Sequence, residues 1–381
     1  MTLAAALLAV ASAVVFYLLI GYPILLAISR RAAPPVRKDP AFQPAFSILL
    51  AVHNGEEFLR RKLESLLALD YPARLREILV ISDGSTDATD SIADSFAGRG
   101  VRLLRVPRGG KAAALNAGLA QASGDILFFT DVRQMLDPRA LSHLAANFAD
   151  PSVGAVTGEL RLLNPARTGE QADMELYWRF EIWARSHHSR IDSIFSTTGC
   201  IYALRRSLAS PLPPDTIADD GTFALRAFFR GYRVVFDPEA LAFDYPAAEG
   251  GEFRRRLRTL AGLWQLFVRL PQLFTRANRM RFHFLSYKFG RLVLPWAILL
   301  ISVSTLALPD SHWRNFLLVD EATLVALAVF DRLVPRAFFL KRISSPARTF
   351  LAMNIAALLA VLVFFVPPET LWRPTRMQAR H

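Results

Sequence analysis

Polar residues follow two apolar runs of the chain and carry groups that suit a nucleotide. His53, Asn54 and Glu56 come directly after the run 46–52, and residues 82–87 come after the run 78–81. A carboxylate such as that of Asp83 can accept hydrogen bonds from a base N–H or a ribose hydroxyl. Residues 83–87 are also typical of a turn that caps a helix, and taken alone this motif favours that interpretation.

A lysine and an aspartate follow the next two apolar runs and suit a phosphate and a cation. Lys111 stands beside Gly109 and Gly110 at an expected helix start, where it can face a phosphate group. Asp131 follows the run 126–130 and can bind a metal ion or a ribose hydroxyl. The alternative for Lys111 is a solvated surface charge.

The elements that must position these residues alternate between strand and helix from about residue 46 to residue 245. Apolar runs of buried-strand length are separated by helical segments, such as 56–69 with Leu59, Leu63 and Leu66 on one face. This order predicts an α/β domain built on a mostly parallel sheet that is covered on both faces. Ligands bind such sheets beyond the carboxyl ends of the strands, where the polar residues lie.

The rest of the chain is rich in apolar residues and indicates a membrane protein. Apolar residues make up 52% of the 381 residues and charged residues 20%, so lipid-facing and soluble segments must be separate along the sequence. Residues 3–28 include no charged side chain and are long enough to cross a bilayer. Arg30, Arg31 and Lys38 follow, which predicts an anchor whose N-terminus lies outside and whose next domain is cytoplasmic. A cleaved signal peptide is the alternative, but its positive charge would precede a shorter apolar core.

Three further apolar stretches, 292–308, 316–330 and 350–366, are expected membrane segments. The middle stretch is the weakest because it contains Asp320 and Glu321, and it can instead be re-entrant or interfacial. Basic residues place the loop between the last two stretches in the cytoplasm, whereas four crossings would put the basic C-terminal tail outside. The positive charges therefore do not fix the number of crossings.

Residues 252–284 interleave arginines with aromatic residues just before a membrane stretch, as in helices that lie in the lipid headgroup layer. Nucleic-acid binding is the alternative for a chain of net charge +12, but the sequence contains no nucleic-acid-binding motif. The single cysteine, Cys200, excludes an internal disulfide framework.

The predicted organisation is an N-terminal transmembrane helix (1–29), a linker (30–45), an α/β domain (46–250), interfacial helices (251–286), transmembrane segments (287–368) and a basic tail (369–381).

The four polar motifs, in this order and at these spacings, resemble the family-2 glycosyltransferases, whose catalytic domain has the nucleotide-binding A-type fold. Those enzymes usually carry Ala-Tyr-Asn-Glu, Asp-Asp-Gly-Ser, a Lys before Ala-Leu-Asn, and Asp-x-Asp. The matching segments here are 51–56, 82–85, 111–116 and 131–133. Further on, residues 219–234 look like the segment that starts Thr-Glu-Asp and ends Gly-Tyr-Arg-Val. The resemblance covers about 46–262, and the membrane segments are placed as in cellulose, hyaluronan and poly-N-acetylglucosamine synthases.

The resemblance implies inverting transfer of a sugar from a nucleoside-diphosphate sugar. Asp220 falls where the family keeps its catalytic base, with Asp219 beside it, although this pair by itself would be interpreted as a helix N-cap. Gly199 and Cys200 match a strand near the acceptor site, and Trp264 can stack on a sugar or simply pack in the core. Asp131 would hold Mg²⁺ or Mn²⁺. The implied nucleotide-sugar contacts are Ala51, His53, Asn54, Glu56, Asp83, Lys111, Asn116, Asp131, Arg133 and Arg258.

Three positions depart from the family pattern. Arg133 replaces the second Asp of Asp-x-Asp, which puts metal dependence in doubt and lets a guanidinium sit on the diphosphate instead. Ser82 replaces the first Asp of Asp-Asp-Gly, which makes the donor less certain. Thr259 stands where processive synthases have the Trp of Gln-x-x-Arg-Trp, and of that motif only Arg258 is present.

The sequence therefore predicts a multi-pass enzyme of the cell (inner) membrane whose catalytic domain is cytoplasmic. It would transfer a sugar, UDP-linked by default, to a glycan or lipid acceptor in the synthesis of cell-surface polysaccharide or glycolipid. Membrane lipids are expected partners and nucleic acids are not. The alternative is a catalytically degenerate glycosyltransferase fold that serves as a scaffold or binding subunit, which Ser82, Arg133 and Thr259 favour and the retained Asp and Lys residues oppose.

Overall fold

A computed structural model describes residues 2–163, 170–245, 251–335 and 338–366. Its strands are β1 Phe46–Val52, β2 Arg76–Asp83, β3 Val101–Val106, β4 Ile126–Phe129, β5 Met135–Leu136, β6 Val153–Leu162, β7 Tyr202–Arg205 and β8 Arg233–Asp244. Its α-helices are α1 Leu3–Phe16, α2 Tyr22–Ile28, α3 Glu56–Leu67, α4 Thr89–Asp94, α5 Gly110–Gln121, α6 Ala140–Asn147, α7 Glu170–Ile191, α8 Asp219–Phe229, α9 Gly251–Arg269, α10 Arg281–Phe284, α11 Gly290–Leu306, α12 His312–Val329 and α13 Lys341–Leu359.

The chain divides into two compact units. The sheet unit comprises Arg30–Leu163 and Arg185–Tyr245, and the helical unit comprises Met1–Ser29, Asn164–Ala184 and Pro246–His381. Segment 30–45, predicted to be a linker, belongs to the sheet unit. The backbone N–H groups of Ala32 and Ala33 both donate to the carbonyl of Ile191 at 2.9 Å, and Lys38 forms an ion pair with buried Asp237 at 2.9 Å.

The sheet unit is built on one eight-stranded sheet of order β3-β2-β1-β4-β7-β6-β8-β5. The first four strands in this order are mutually parallel, as the alternation of strand and helix predicted. β7 is antiparallel to both β4 and β6, and β5 is antiparallel to β8, so the whole sheet is mixed rather than mostly parallel. The strands after β4 lie outside the regular βαβα series, which explains why the prediction described only part of the sheet.

Apolar side chains of β1 and the neighbouring helices pack together in one core. Ile48 and Leu50 of β1 are fully buried in the same core cluster as Leu59 and Leu63 of α3. Truncation of such a leucine to alanine costs about 2–5 kcal/mol of folding free energy. α5 packs against β1 and β2 as well. The carboxyl ends of β1, β2 and β4 are thereby fixed at one edge of the sheet.

The helical unit contains three helices that are long and apolar enough to cross a membrane, among the residues that the structure describes. They are Leu3–Ile28, Arg281–Leu306 and Lys341–Phe364. The first combines α1 and α2 through the π-helical turn Tyr17–Gly21 and coincides with the predicted N-terminal span, whose crossing of the membrane stays a prediction. α12, which covers the stretch predicted to be the weakest, is not among the three.

A buried carboxylate joins two helical segments of this unit. Asp331 is fully buried in the turn after α12, and Ser344 of α13 donates a hydrogen bond to it at 2.6 Å. Lys341 and Arg348 of the same helix form ion pairs with Asp331 at 2.9 and 3.0 Å. Burial by itself would raise the pKa of Asp331, but the hydrogen bonds of Ser344 and Lys341 and the two positive charges outweigh it, so the pKa is lowered.

Candidate active site

Two adjacent carboxylates open α8 in the sheet unit. Asp219 is buried, and the Tyr202 hydroxyl donates to its Oδ2 at 3.4 Å. Asp220 is partly buried, and its Oδ1 accepts the backbone N–H of Gly221 at 2.8 Å. Negative charge is favourable at a helix N-terminus, which explains the position of the pair. Burial and, second, the charge of Asp219 nevertheless raise the pKa of Asp220 to about 6, against the opposing charge of Lys111.

Lys111 lies among three carboxylates. Its Nζ is 3.0 Å from Oδ1 of Asp131 and 3.4 Å from Oδ2 of Asp219, while 41% of the side chain remains exposed. Burial alone would lower the pKa of Lys111, but the charges of Asp131 and Asp219 outweigh it and the pKa is raised. The lysine therefore stays protonated at neutral pH and can meet a phosphate group.

Gly199 lies next to these charges. A Cβ atom added there would lie 3.8 Å from Oδ2 of Asp220 and 4.0 Å from Nζ of Lys111, which is ordinary contact distance. The structure thus brings together the predicted base, the predicted phosphate-binding lysine and one predicted acceptor residue. The side chain of Cys200 is 4% exposed and belongs to the apolar core, and its predicted role as an acceptor contact stays a prediction. Burial raises the pKa of this thiol to about 12.

Asp83 organises the turn that leads into Lys111. Its carboxylate forms an ion pair with Arg108 and accepts the backbone N–H groups of Gly109 at 2.7 Å and Gly110 at 3.0 Å. Gly110 has a φ of +83°, a conformation that a side chain would disfavour. Asp83 is 3% exposed, and its Oδ atoms bind this turn. Its predicted contact with the nucleotide stays a prediction.

Three other residues predicted to contact the nucleotide sugar form hydrogen bonds with backbone groups of neighbouring loops. The Oδ1 of Asn54 accepts the backbone N–H of Thr86 at 2.8 Å, and Oε2 of Glu56 accepts that of Ala88 at 2.9 Å. These bonds tie the end of β1 to the loop after β2. Asn116 binds the backbone N–H and C=O of Leu212, both at 2.8 Å, and so holds the segment before α8.

His53 and Ala51 lie at the end of β1, where they were predicted. The imidazole Nδ1 of His53 is 2.9 Å from the backbone oxygen of Asp83, and Ala51 is partly buried and paired in register with Ile81 of β2. Both residues therefore lie at the edge of the sheet that carries the other polar groups. Arg258 and Trp264 lie on α9 of the helical unit, and their roles toward donor and acceptor stay predictions.

Arg133 forms an ion pair with the carboxylate of Asp244. Its Nε is 3.0 Å from Oδ1 of Asp244 and its Nη2 is 2.5 Å from Oδ2, which is a bidentate pair. The amide of Gln134 donates to the same carboxylate at 2.8 Å. Arg133 thus replaces a possible metal ligand and also occupies the carboxylate of Asp244.

Asp131 is the one Asp-x-Asp carboxylate that can hold a divalent cation. The described residues contain no group of three or more His, Cys, Asp or Glu side chains that could hold a metal ion. Mg²⁺ is commonly bound by one or two carboxylates together with substrate phosphates, so a partly exposed Asp131 at a strand end fits such an arrangement. A metal bound here would complete its coordination with phosphate oxygens of the donor and water.

Sequence reasoning missed two basic residues of this region. Arg185 donates to the hydroxyl of Thr198 at 2.5 Å, and its positive charge lowers the pKa of Asp220 in part. Lys62 is fully buried beneath the loop that carries Asp131. A signal for Lys62 was present, because it lies between Leu59 and Leu66 on the apolar face of α3, where a charge is unexpected.

This mixed sheet, with acidic and basic side chains gathered at its parallel strand ends, defines an α/β protein of the glycosyltransferase A type. The profile described as "Glycosyl transferase family 2" matches residues 47–211, and the profile described as "Glycosyl transferase family group 2" matches residues 131–366, which is more than half of the chain. The chain therefore belongs to the family-2 glycosyltransferases. The resemblance drawn from its motifs is confirmed.

Two curated relatives and one solved structure show the extent of this likeness. The chain is 27% identical over 272 residues to the probable glycosyltransferase YdaM of Bacillus subtilis, covering 68% of this chain and 64% of that protein. It is 27% identical over 255 residues to the poly-beta-1,6-N-acetyl-D-glucosamine synthase of Staphylococcus aureus, covering 65% and 61%. It thus spans less than two thirds of the length of either relative.

The structural likeness extends over most of the chain. The mannosyltransferase PcManGT from Pyrobaculum calidifontis, solved in complex with GDP-Man and Mn²⁺, superposes with a TM-score of 0.72 at 23% identity. The match covers 93% of this chain and 98% of that chain. At this identity the likeness concerns the fold, and it confirms the predicted fold class.

Proposed function

We propose that the protein is a membrane-bound inverting glycosyltransferase that moves a sugar from a nucleoside-diphosphate sugar to a glycan or lipid acceptor. The main support for the proposal is the raised pKa of Asp220. Burial and the charge of Asp219 raise this pKa to about 6. A base with a pKa near the working pH combines the ionised form with a useful proton affinity. A carboxylate kept only as a helix cap would not need this environment.

In this proposal Asp220 accepts the proton of an acceptor hydroxyl that binds beside Gly199. The hydroxyl oxygen attacks the anomeric carbon, and the nucleoside diphosphate departs from the opposite face of the sugar. Lys111 lies beside the same glycine, with its Nζ 4.0 Å from a Cβ atom built on Gly199, and offsets negative charge on the departing diphosphate. Asp131 orients the donor through a ribose hydroxyl or a cation. A bound Mg²⁺ or Mn²⁺ would supply further charge compensation at the diphosphate.

The donor is proposed to be a UDP-sugar, with GDP-sugars as the comparison set. UDP is the default that the family resemblance implies, and the structurally similar mannosyltransferase was solved with GDP-Man. The curated relative named as a poly-beta-1,6-N-acetyl-D-glucosamine synthase supports a role in making cell-surface polysaccharide or glycolipid. Membrane lipids are the expected surroundings of the helical unit.

The sheet unit is proposed to lie in the cytoplasm, where sugar nucleotides are found. Arg30, Arg31, Arg37 and Lys38 directly follow the first candidate span, which supports this orientation by the positive-inside rule. Three crossings would also place the basic tail in the cytoplasm, although the basic residues that precede the third span would then lie outside.

The first test is nucleoside diphosphate release by the purified full-length chain in nanodiscs. A panel of UDP- and GDP-sugars would be offered together with membrane lipid and candidate acceptors. Asp220→Asn is compared with Asp125→Asn, because Asp125 is an exposed carboxylate just before β4, at the opposite end of that strand from Asp131. Release from one donor that persists in Asp125→Asn and collapses in Asp220→Asn is expected. Nucleotide binding without release from any donor would instead favour the scaffold alternative.

A further inference from the structure

Lys62 is a cation in the apolar core of the sheet unit. It is 0% exposed and lies on the face of α3 that also buries Leu59, Leu63 and Leu66. Within the part of the chain that the structure describes, its Nζ donates hydrogen bonds to two uncharged oxygen atoms rather than to a carboxylate. Burying an ammonium group without a counter-ion opposes folding, so a hydrophobic side chain would suit this position better for stability alone.

The ammonium group of Lys62 binds both ends of one short segment. Its Nζ donates to the Thr130 hydroxyl at 2.7 Å, directly after β4, and to the backbone oxygen of Gln134 at 2.6 Å, directly before β5. Asp131 and Arg133 lie between these two points. The segment 130–134 is therefore tied at its start and its end to the same buried atom.

The same lysine also reaches the acceptor side of the site through Thr130. The Thr130 hydroxyl donates to the backbone oxygen of Cys200 at 2.8 Å, and Cys200 follows Gly199. Lys62, Thr130 and Cys200 thus form a continuous chain of hydrogen bonds. A displacement of Thr130 would move Asp131 and the backbone of Cys200 beside Gly199 together.

We propose that Lys62 is a positioning residue for sugar transfer, which holds the segment 130–134 in place through Thr130 and Gln134. The proposal rests on the proposed glycosyltransferase function, since the groups that it positions are Asp131, proposed to bind the donor, and the backbone beside Gly199, proposed to lie at the acceptor. Lys62 does not touch the substrate in this arrangement. Burying the Lys62 ammonium group costs stability. The gain is accurate placement of the site, since misplacement of a binding group by about 1 Å can lower the rate on the order of 100-fold.

The test compares Lys62→Met with Arg61→Met in the full-length protein. Methionine is unbranched like lysine, one atom shorter and uncharged, and Arg61 is an exposed cation one residue earlier on the same helix. We expect Lys62→Met to lower the turnover number by about tenfold or more and to weaken nucleoside diphosphate binding several-fold. Its thermal midpoint should stay within a few degrees of that of Arg61→Met. Turnover and nucleotide affinity within twofold of Arg61→Met would overturn the proposal.

Two further readouts separate positioning from a general effect on folding. In hydrogen–deuterium exchange, Lys62→Met should raise exchange in a peptide covering 130–134 more than in peptides from β1 or β2, and an even rise across the sheet would contradict positioning. Thr130→Val removes the hydroxyl, and because Lys62 acts through Thr130, the double variant should be little worse than Lys62→Met alone. If the wild type releases no diphosphate from any donor, the proposed function fails, while exchange at 130–134 still decides whether Lys62 holds the segment.

Discussion

Each unit of the chain holds a carboxylate whose pKa is shifted, and the two shifts have opposite directions. In the helical unit, Asp331 meets Ser344, Lys341 and Arg348, so one negative charge faces two positive charges. Its pKa is lowered, because the hydrogen bonds and cations outweigh the effect of burial. This carboxylate is satisfied within the protein and stabilises the contact between two helical segments.

In the sheet unit, three carboxylates share the positive charge of Lys111. Asp131 and Asp219 lie within 3.4 Å of its Nζ, and Asp220 is left with a raised pKa of about 6. This site keeps negative charge that its own residues do not neutralise. A carboxylate whose charge is compensated by cations of the protein supports the fold, whereas carboxylates in excess of the nearby cations mark the place where a proton, a cation or a substrate is handled.

The largest difference should appear when each carboxylate is made neutral and activity is measured. Asp220→Asn removes the proposed base and should lower the rate of diphosphate release about 1000-fold. The same change removes a repulsion with Asp219, so the thermal midpoint of the variant should not fall below that of the wild type. Parallel rate and thermal-shift measurements would test both statements. A variant that retains a tenth of the activity would exclude Asp220 as the base.

Asp331→Asn should show the reverse profile. It leaves Lys341 and Arg348 without their buried counter-ion, which is expected to cost about 3 kcal/mol of folding free energy. Nucleoside diphosphate affinity measured well below the melting transition should stay unchanged. Asp320→Asn is the control, because Asp320 is an exposed carboxylate on the neighbouring α12. An equal thermal midpoint for the Asp331 and Asp320 variants would contradict the structural role.

Lower pH should affect the two carboxylates differently. Asp220 must be ionised to act as a base, and with a pKa of about 6 it is mostly ionised at pH 7 and about one tenth ionised at pH 5, so the rate should fall about tenfold. The lowered pKa of Asp331 keeps its stabilising contribution intact above the ordinary carboxyl pKa, and that contribution is lost only as pH falls through the lowered value.

A variant of Asp219 tests the cause of this fall in rate at low pH, the acid limb of the rate profile. Asp219→Asn removes one of the charges that raise the pKa of Asp220, so the acid limb of the rate profile should move to lower pH. Residual activity of this variant, measured from pH 5 to pH 8, provides the test. An unmoved limb would assign the titration to another group.

The sequence predicted the parts of this comparison unequally. The strands β1 to β4 and the residues at their carboxyl ends were predictable, since apolar runs and polar ends recur in a regular order. Strands β6 to β8 were not, because their mixed pairing depends on contacts distant in the chain. The partners Arg133–Asp244 and Lys62–Gln134 are separated by 111 and 72 positions, so no local pattern indicated them. The two basic residues that bind Asp331 were visible only as part of a basic loop.

The smallest expected effect concerns metal binding at Asp131, in the site where three carboxylates surround Lys111. Because Asp131 is the one Asp-x-Asp carboxylate and Arg133 is bound to Asp244, Mn²⁺ should bind weakly alone and several-fold more tightly when a nucleoside diphosphate supplies phosphate oxygens. Arg133→Asp adds a second carboxylate and frees that of Asp244, so it should increase the affinity for Mn²⁺ in the absence of nucleotide. Electron paramagnetic resonance of free Mn²⁺ measures both quantities without turnover. Equal affinity in wild type and variant would show that Arg133 does not limit metal binding, and that the cation depends on other residues of the site.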